Sequence, residues 1–92
     1  MKTRHEVMNL LSEKYPNMFL RTTEEFDGSK GGIWTSGEAS PRARDGNSIL
    51  NYYSENPYKY ELGVHVELDK LLQKAGWCAE WFDTGTVMLW PE

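Results

Sequence analysis

Residues 77–90 read WCAEWFDTGTVMLW, and this stretch decides the fold because two largely apolar runs flank a turn. Two such runs separated by Asp-Thr-Gly are typical of a β-hairpin. We predict a three-residue loop at 83–85, in which Gly85 takes the left-handed conformation that glycine adopts without steric cost. The register of the hairpin follows from this loop.

The predicted register runs from the loop to the open end of the hairpin, with the pairs Phe82–Thr86, Trp81–Val87, Glu80–Met88, Ala79–Leu89 and Cys78–Trp90. Successive side chains of a strand point to opposite faces, so one face of this hairpin is purely apolar and is expected to pack on helices. The other face mixes an acid, a hydroxyl and large aromatic rings, as a half-covered or partner-facing surface does. A two-residue loop at 84–85 would pair the strands differently.

Two helices are predicted upstream of this hairpin. Thr3 and Glu6 have the spacing of a capping box, and Pro16 ends the first helix near residue 15. The second helix is predicted over 66–75, where apolar residues recur at helical spacing and Gly76 occupies the position after the last turn.

The remaining elements complete an α+β fold in the order α-β-β-β-α-β-β. Residues 17–36 indicate a β-hairpin with a flexible tip, and residues 48–54 indicate a third strand. We therefore predict one domain over 1–92, with two hairpins in a small antiparallel sheet of four to five strands and two helices on one face. The long polar loop over 36–47 is either a disordered linker or a functional loop.

Composition limits the class of protein. The 92 residues are 39% hydrophobic and 26% charged, which are values of a globular domain. The sequence has no apolar run of about 18 residues and no hydrophobic signal segment near its start, so we expect a cytoplasmic protein with no membrane partner.

The sequence contains no motif typical of an enzyme or a metal site. His5, His65 and the single Cys78 do not have the spacing of metal ligands. His65 stands where the second helix begins, so a capping role is favoured over a catalytic one. We expect no enzymatic activity, no cofactor and no bound metal.

The net charge of −4 is unevenly distributed along the chain. Residues 1–46 balance seven basic against seven acidic side chains, whereas residues 47–92 carry three basic and seven acidic ones. A protein that neutralises phosphates shows the opposite sign, concentrated on one face. We therefore expect a protein partner with a basic surface rather than a nucleic acid.

Aromatic residues make up 13% of the chain, and Tyr and Trp are enriched where proteins meet partners. Any one of these rings could instead fill the core. We expect a small non-enzymatic protein-binding module, by analogy of size and charge a phage or mobile-element inhibitor that occupies a basic site on a host protein. The candidate binding residues form an acidic, aromatic set, namely Tyr52, Tyr53, Tyr58, Tyr60, Glu80, Phe82, Asp83 and Trp90.

Two alternatives stay open at this point. In the first, Arg42 and Arg44 clamp phosphates while the tyrosines stack on bases, which would make this a nucleic-acid-contacting domain. The second concerns oligomeric state, since an exposed edge strand that carries Trp90 could pair with a second copy and form a homodimer.

Overall fold

The chain has the predicted α+β fold in a computed structural model that describes residues 1–38, 40–54 and 56–92. Ala39, which belongs to the predicted 36–47 loop, and Glu55 lie outside the described residues. Within that part of the chain the helices are α1 (Arg4–Lys14), α2 (Thr23–Phe26) and α3 (Val66–Ala75). The strands are β1 (Leu20–Thr22), β2 (Ile33–Ser36), β3 (Tyr60–Glu61), β4 (Val64–His65), β5 (Trp77–Asp83) and β6 (Thr86–Pro91).

The main sheet is antiparallel and has four strands in the order β1-β2-β6-β5. The two predicted hairpins, β1/β2 and β5/β6, supply these strands, and the pairing of β2 with β6 joins them. Strands β3 and β4 form a separate two-stranded sheet. None of the helices in the described part of the chain is long and apolar enough to cross a membrane.

The hairpin β5/β6 has the predicted register from Cys78–Trp90 to Trp81–Val87. The predicted pair of Phe82 with Thr86 is wrong, because Asp83 pairs with Thr86 and a bulge falls at Phe82. Phe82 is the unpaired residue of the bulge, so the turn itself contains only two residues. Gly85 therefore does not take the predicted left-handed conformation. The N–H of Gly85 donates instead to the Asp83 carboxylate at 2.9 Å.

Both long helices begin and end where the sequence predicts. The capping box of α1 is formed, since the Thr3 hydroxyl accepts from the Glu6 N–H at 3.2 Å and the Glu6 carboxylate accepts from the Thr3 N–H at 2.9 Å. Helix α3 covers the predicted ten residues, and Gly76 follows it with a φ of 79°. These local signals predict the helix boundaries correctly because the capping groups satisfy the free backbone N–H and C=O groups at the helix ends.

Helices α1 and α3 run antiparallel on one face of the sheet, which we call the inner face. At one end the Lys2 N–H donates to the Ala75 carbonyl at 2.8 Å, and at the other the Tyr15 hydroxyl donates to Glu67 at 2.7 Å. Buried apolar residues from both helices and from the sheet form one core, which includes Val7, Leu11, Ile33, Leu68, Leu72, Trp77, Val87 and Leu89. The outer face is the opposite side, where Trp34, Met88 and Glu80 share one row of the register.

Three sequence-based predictions about strands need correction. Residues 48–54 do not form a third strand. They make isolated bridges, Ile49 and Leu50 are both buried instead of alternating, and the Asn51 side chain accepts from the Tyr53 N–H, which starts a turn. The tip of the first hairpin contains the short helix α2. Strand β6, which carries Trp90, is interior, so the expectation that Trp90 lies on an exposed edge strand is wrong; the edges of the main sheet are β1 and β5. A homodimer stays a prediction.

Candidate functional site

Four aromatic rings form a continuous row on the outer face, in which each ring contacts the next. Phe19 meets Trp34 edge to face with 5.7 Å between ring centroids, and Phe26 stacks on Trp34 at the same separation. Phe26 in turn meets Phe82 edge to face at 5.5 Å. We call Phe19, Phe26, Trp34 and Phe82 the aromatic cluster.

Irregular features of the backbone bring Phe26 and Phe82 together. Helix α2 interrupts the first hairpin and ends at Phe26, and the bulge in β5 falls at Phe82. The loop after α2 is anchored by Thr23, whose hydroxyl donates to the Ser29 carbonyl at 2.8 Å and accepts from the Gly32 N–H at 3.0 Å. The bulge in β5 interrupts the regular alternation of side chains along the strand and so changes the direction of the Phe82 side chain.

The aromatic cluster is largely open to solvent. The exposed fractions of Phe19, Phe26 and Phe82 are 51%, 41% and 56%. Trp34 contacts two of them, Phe19 and Phe26, and its indole N–H is buried without a hydrogen-bond partner among the described residues. Burial of an unpaired donor and exposure of three phenyl rings are both unfavourable in an isolated domain.

The charges around the aromatic cluster differ at its two ends. The Arg21 guanidinium lies over the Phe19 ring, 4.9 Å from its centroid. At the opposite end Asp83 follows Phe82 in the chain, and Glu80 is exposed on the outer face in the register row of Trp34. The end at Phe82 is therefore acidic.

The predicted tyrosines lie elsewhere. Tyr52 meets Tyr53 at 5.2 Å and Trp81 at 5.1 Å, on the inner-face side of β5. Tyr58 is 90% exposed in a turn, whereas the Tyr60 hydroxyl donates to a backbone carbonyl at 2.6 Å. The sequence predicted a single surface, and the structure divides it between two sides of the sheet.

Trp90 is less accessible to a partner than the sequence predicted, because its ring packs against Gly32. It is only partly exposed, and its ring lies so close to Gly32 that a Cβ placed there would come within 2.6 Å of it. This close approach requires glycine at position 32. Of the predicted binding residues, the outer face thus groups Glu80, Phe82 and Trp90, with Asp83 at its margin.

The polar loop is held against the start of α3. The His65 Nδ1 atom accepts from the Glu67 N–H at 3.0 Å, which is the predicted capping role, and Nε2 lies 3.0 Å from the Asp45 carboxylate. Hydrogen bonds from the Asn47 N–H and from His65 hold the pKa of Asp45 well below its usual value. Both nitrogens of this buried ring are engaged, so the arrangement is suited to fixing the loop.

The two loop arginines are not grouped with the tyrosines. Arg42 donates to a backbone carbonyl of its own loop at 2.7 Å, and both Arg42 and Arg44 line a cavity of about 290 Å³ beside Lys14. Tyr52 and Tyr53 line a different cavity of about 380 Å³, and the two cavities share no lining residue. The geometry expected for phosphate clamping beside base stacking is absent from these described cavities.

Sequence reasoning missed Phe19, Phe26 and Asp45 as site residues. A weak signal for α2 was available, since Thr22 and Glu25 have the spacing of a capping box. The capping bond itself is not formed, because the Thr22 hydroxyl donates to the Glu25 carboxylate at 3.2 Å instead. The contact of Asp45 with His65 spans 20 positions and has no local signal.

No protein-family model, curated protein or solved structure is significantly similar to this chain. Among the described residues, no group of three His, Cys, Asp or Glu side chains is arranged to hold a metal ion.

Proposed function

We propose that this protein is a binding module that recognises a partner protein through the aromatic cluster on its outer face. The observation that carries the proposal is the run of four contacting rings, of which three phenylalanines are 41–56% exposed. Contiguous exposed aromatic surface favours association because a partner removes it from water. Aromatic anchors also dominate the binding energy of many interfaces.

The partner is proposed to present basic side chains opposite Phe82. Glu80 and Asp83 are exposed at this end of the cluster, and Arg21 lies at the other end, over Phe19. Complementary charges at the rim of an interface steer association and fix its orientation. A partner that places apolar groups on the rings and Lys or Arg beside the acids satisfies both features.

Inhibition is the activity we propose for such a module. A small domain that covers a basic site on its partner competes with the anionic groups that the site would otherwise bind. This activity requires no chemistry from the module itself, only a fixed surface. The four-stranded sheet supplies the backbone for Trp34 and Phe82, while Phe19 directly precedes β1 and Phe26 ends α2.

A randomised 12-residue peptide library, selected on the immobilised protein, tests the binding surface. We expect the selected peptides to combine apolar residues with a net positive charge. Phe82→Ser and Glu80→Lys should each weaken their binding, by roughly tenfold for the loss of an aromatic anchor. The matched control is Tyr53→Ser, which alters an exposed ring on the other side of the sheet and should leave binding unchanged.

Two results would contradict the proposal. Selected peptides that depend on Tyr53 and not on Phe82 would assign binding to the tyrosine surface. Steeply salt-dependent binding of a 20-nucleotide single strand in a gel shift, lost in Arg42→Ala and Arg44→Ala, would favour nucleic acid instead.

A further inference from the structure

A groove between the antiparallel helices α1 and α3 has the opposite charge from the outer face. It encloses about 440 Å³ and is lined by Lys2, Leu10, Lys14, Glu67, Lys70, Leu71, Lys74 and Ala75. Leu10, Leu71 and Ala75 form an apolar floor, and the alkyl stems of the lysines extend it. We call this feature the lysine groove.

The lysine groove is basic although the chain as a whole is acidic. Four lysines and one glutamate line it, a surplus of three positive charges in a chain of net charge −4. The carboxylate of Glu67 is already engaged, since it accepts from the Tyr15 hydroxyl at 2.7 Å and from the Arg44 N–H at 3.1 Å. Among the described residues, none of the four ammonium groups lies within 4.0 Å of a carboxylate.

The lysines surround the apolar floor. Lys2 lies beside the C-terminal end of α3, where its N–H donates to Ala75, and Lys14 ends α1 near the other end of the groove. Lys70 and Lys74 are one turn apart along α3 and stand on the same helical stripe. The groove runs along α1, whose 11 residues span roughly 17 Å.

We propose that the lysine groove binds an acidic amphipathic helix of a partner protein. An apolar stripe on that helix would lie on Leu10 and Leu71, and carboxylates on its flanks would pair with the lysines around the floor. The surface differs from the aromatic cluster in position, charge and residues, so this second interaction does not depend on the first.

Charge geometry favours a helix over two other anionic ligands. A fatty acid carries one carboxylate and would leave three of the four lysines without a counter-ion. A flat anionic membrane reaches protruding apolar residues, whereas this floor lies in a concave groove between two helices. A helix with acidic residues on both flanks matches the floor and all four charges.

Fluorescence anisotropy with a panel of labelled 14-residue helical peptides tests the proposal. Each peptide has Glu on both flanks and a stripe of Leu, Ile, Phe or Met, and each has a scrambled version of identical composition. We expect the amphipathic peptides to bind and the scrambled ones to bind much more weakly. Lys74→Glu should weaken binding roughly fivefold, because it removes one ion pair and adds a repulsion.

The matched control is Lys30→Glu, which changes net charge equally but lies in the exposed loop between α2 and β2. Equal weakening by Lys30→Glu and Lys74→Glu, or equal binding of the scrambled peptides, would reduce the effect to net charge and overturn the proposal. Failure of every amphipathic peptide to bind would also overturn it. Binding of laurate or of phosphatidylserine vesicles in that case would assign the groove to a fatty acid or a membrane.

Discussion

The hydrogen bond between Tyr15 and Glu67 gives the sharpest test of the packing of α1 on α3. Tyr15 is 3% exposed, and its hydroxyl donates to the Glu67 carboxylate at 2.7 Å. Hydrogen bonds to charged groups contribute about 1.5–3 kcal/mol. Glu67 is half-buried and keeps the Arg44 N–H as a donor, so we expect Tyr15→Phe to lower the free energy of unfolding at pH 7 by about 1.5 kcal/mol, the lower end of that range.

The cost of Tyr15→Phe should depend on pH. Burial by itself raises the pKa of Glu67, but hydrogen bonds from Tyr15 and from the Arg44 backbone outweigh burial and hold this pKa below its usual value. The extra stability is therefore fully present above about pH 4.5 and is lost as the pH falls through the lower pKa of the folded state. At pH 3 the cost should shrink towards that of a neutral hydrogen bond, about 1 kcal/mol or less.

Urea unfolding followed by tryptophan fluorescence at pH 7 and pH 3 measures both effects, because the titration of other acids cancels when variant and wild type are compared at one pH. Tyr60→Phe is the matched control, since its hydroxyl donates to the uncharged Ser48 carbonyl at 2.6 Å and its cost should not vary with pH. A cost of Tyr15→Phe below about 0.5 kcal/mol at pH 7, or an equal cost at both pH values, would refute the stabilising role of the Tyr15–Glu67 hydrogen bond.

Two further predictions concern the helix end and the core. Gly76→Ala should cost about 1–2 kcal/mol, because position 76 has a φ of 79°, and an unchanged melting temperature by circular dichroism would contradict this. Leu68→Ala, at a site with no exposure, should cost about 2–5 kcal/mol in urea unfolding. Leu62→Ala, at a site that is 86% exposed, should stay within about 0.5 kcal/mol, and similar costs at the two sites would be inconsistent with the assigned core.

The helices and the second hairpin could be predicted because their signals are local. A capping box at Thr3, a proline after α1 and a glycine after α3 each act on the few backbone groups beside them. Most of the predicted register of β5/β6 is confirmed, because the bulge at Phe82 and a two-residue turn offset the strands by as much as the predicted three-residue loop. The core on the inner face forms where the apolar sides of these helices and of this hairpin pack against one another.

The aromatic cluster could not be predicted because its parts depend on tertiary contacts. A three-residue loop and a bulge followed by a two-residue loop are both compatible with the sequence at 82–86, and Phe82 is the bulged residue that contacts Phe26. Helix α2 has only four residues, too few for a periodic pattern. The Asp45–His65 contact that holds the polar loop is equally non-local.

The distribution of charge along the chain also gave an incomplete prediction. A neutral first half and an acidic second half point to one acidic surface, yet the antiparallel packing of α1 on α3 brings Lys2 and Lys14 beside Lys70 and Lys74. The result is a basic groove on the helical side and acidic residues on the outer face. A helix layer about 10 Å thick separates these sides, which exceeds the Debye length of about 8 Å at physiological ionic strength. Charge reversal on one side is therefore screened from the other, so the two proposed interactions are separable by mutation.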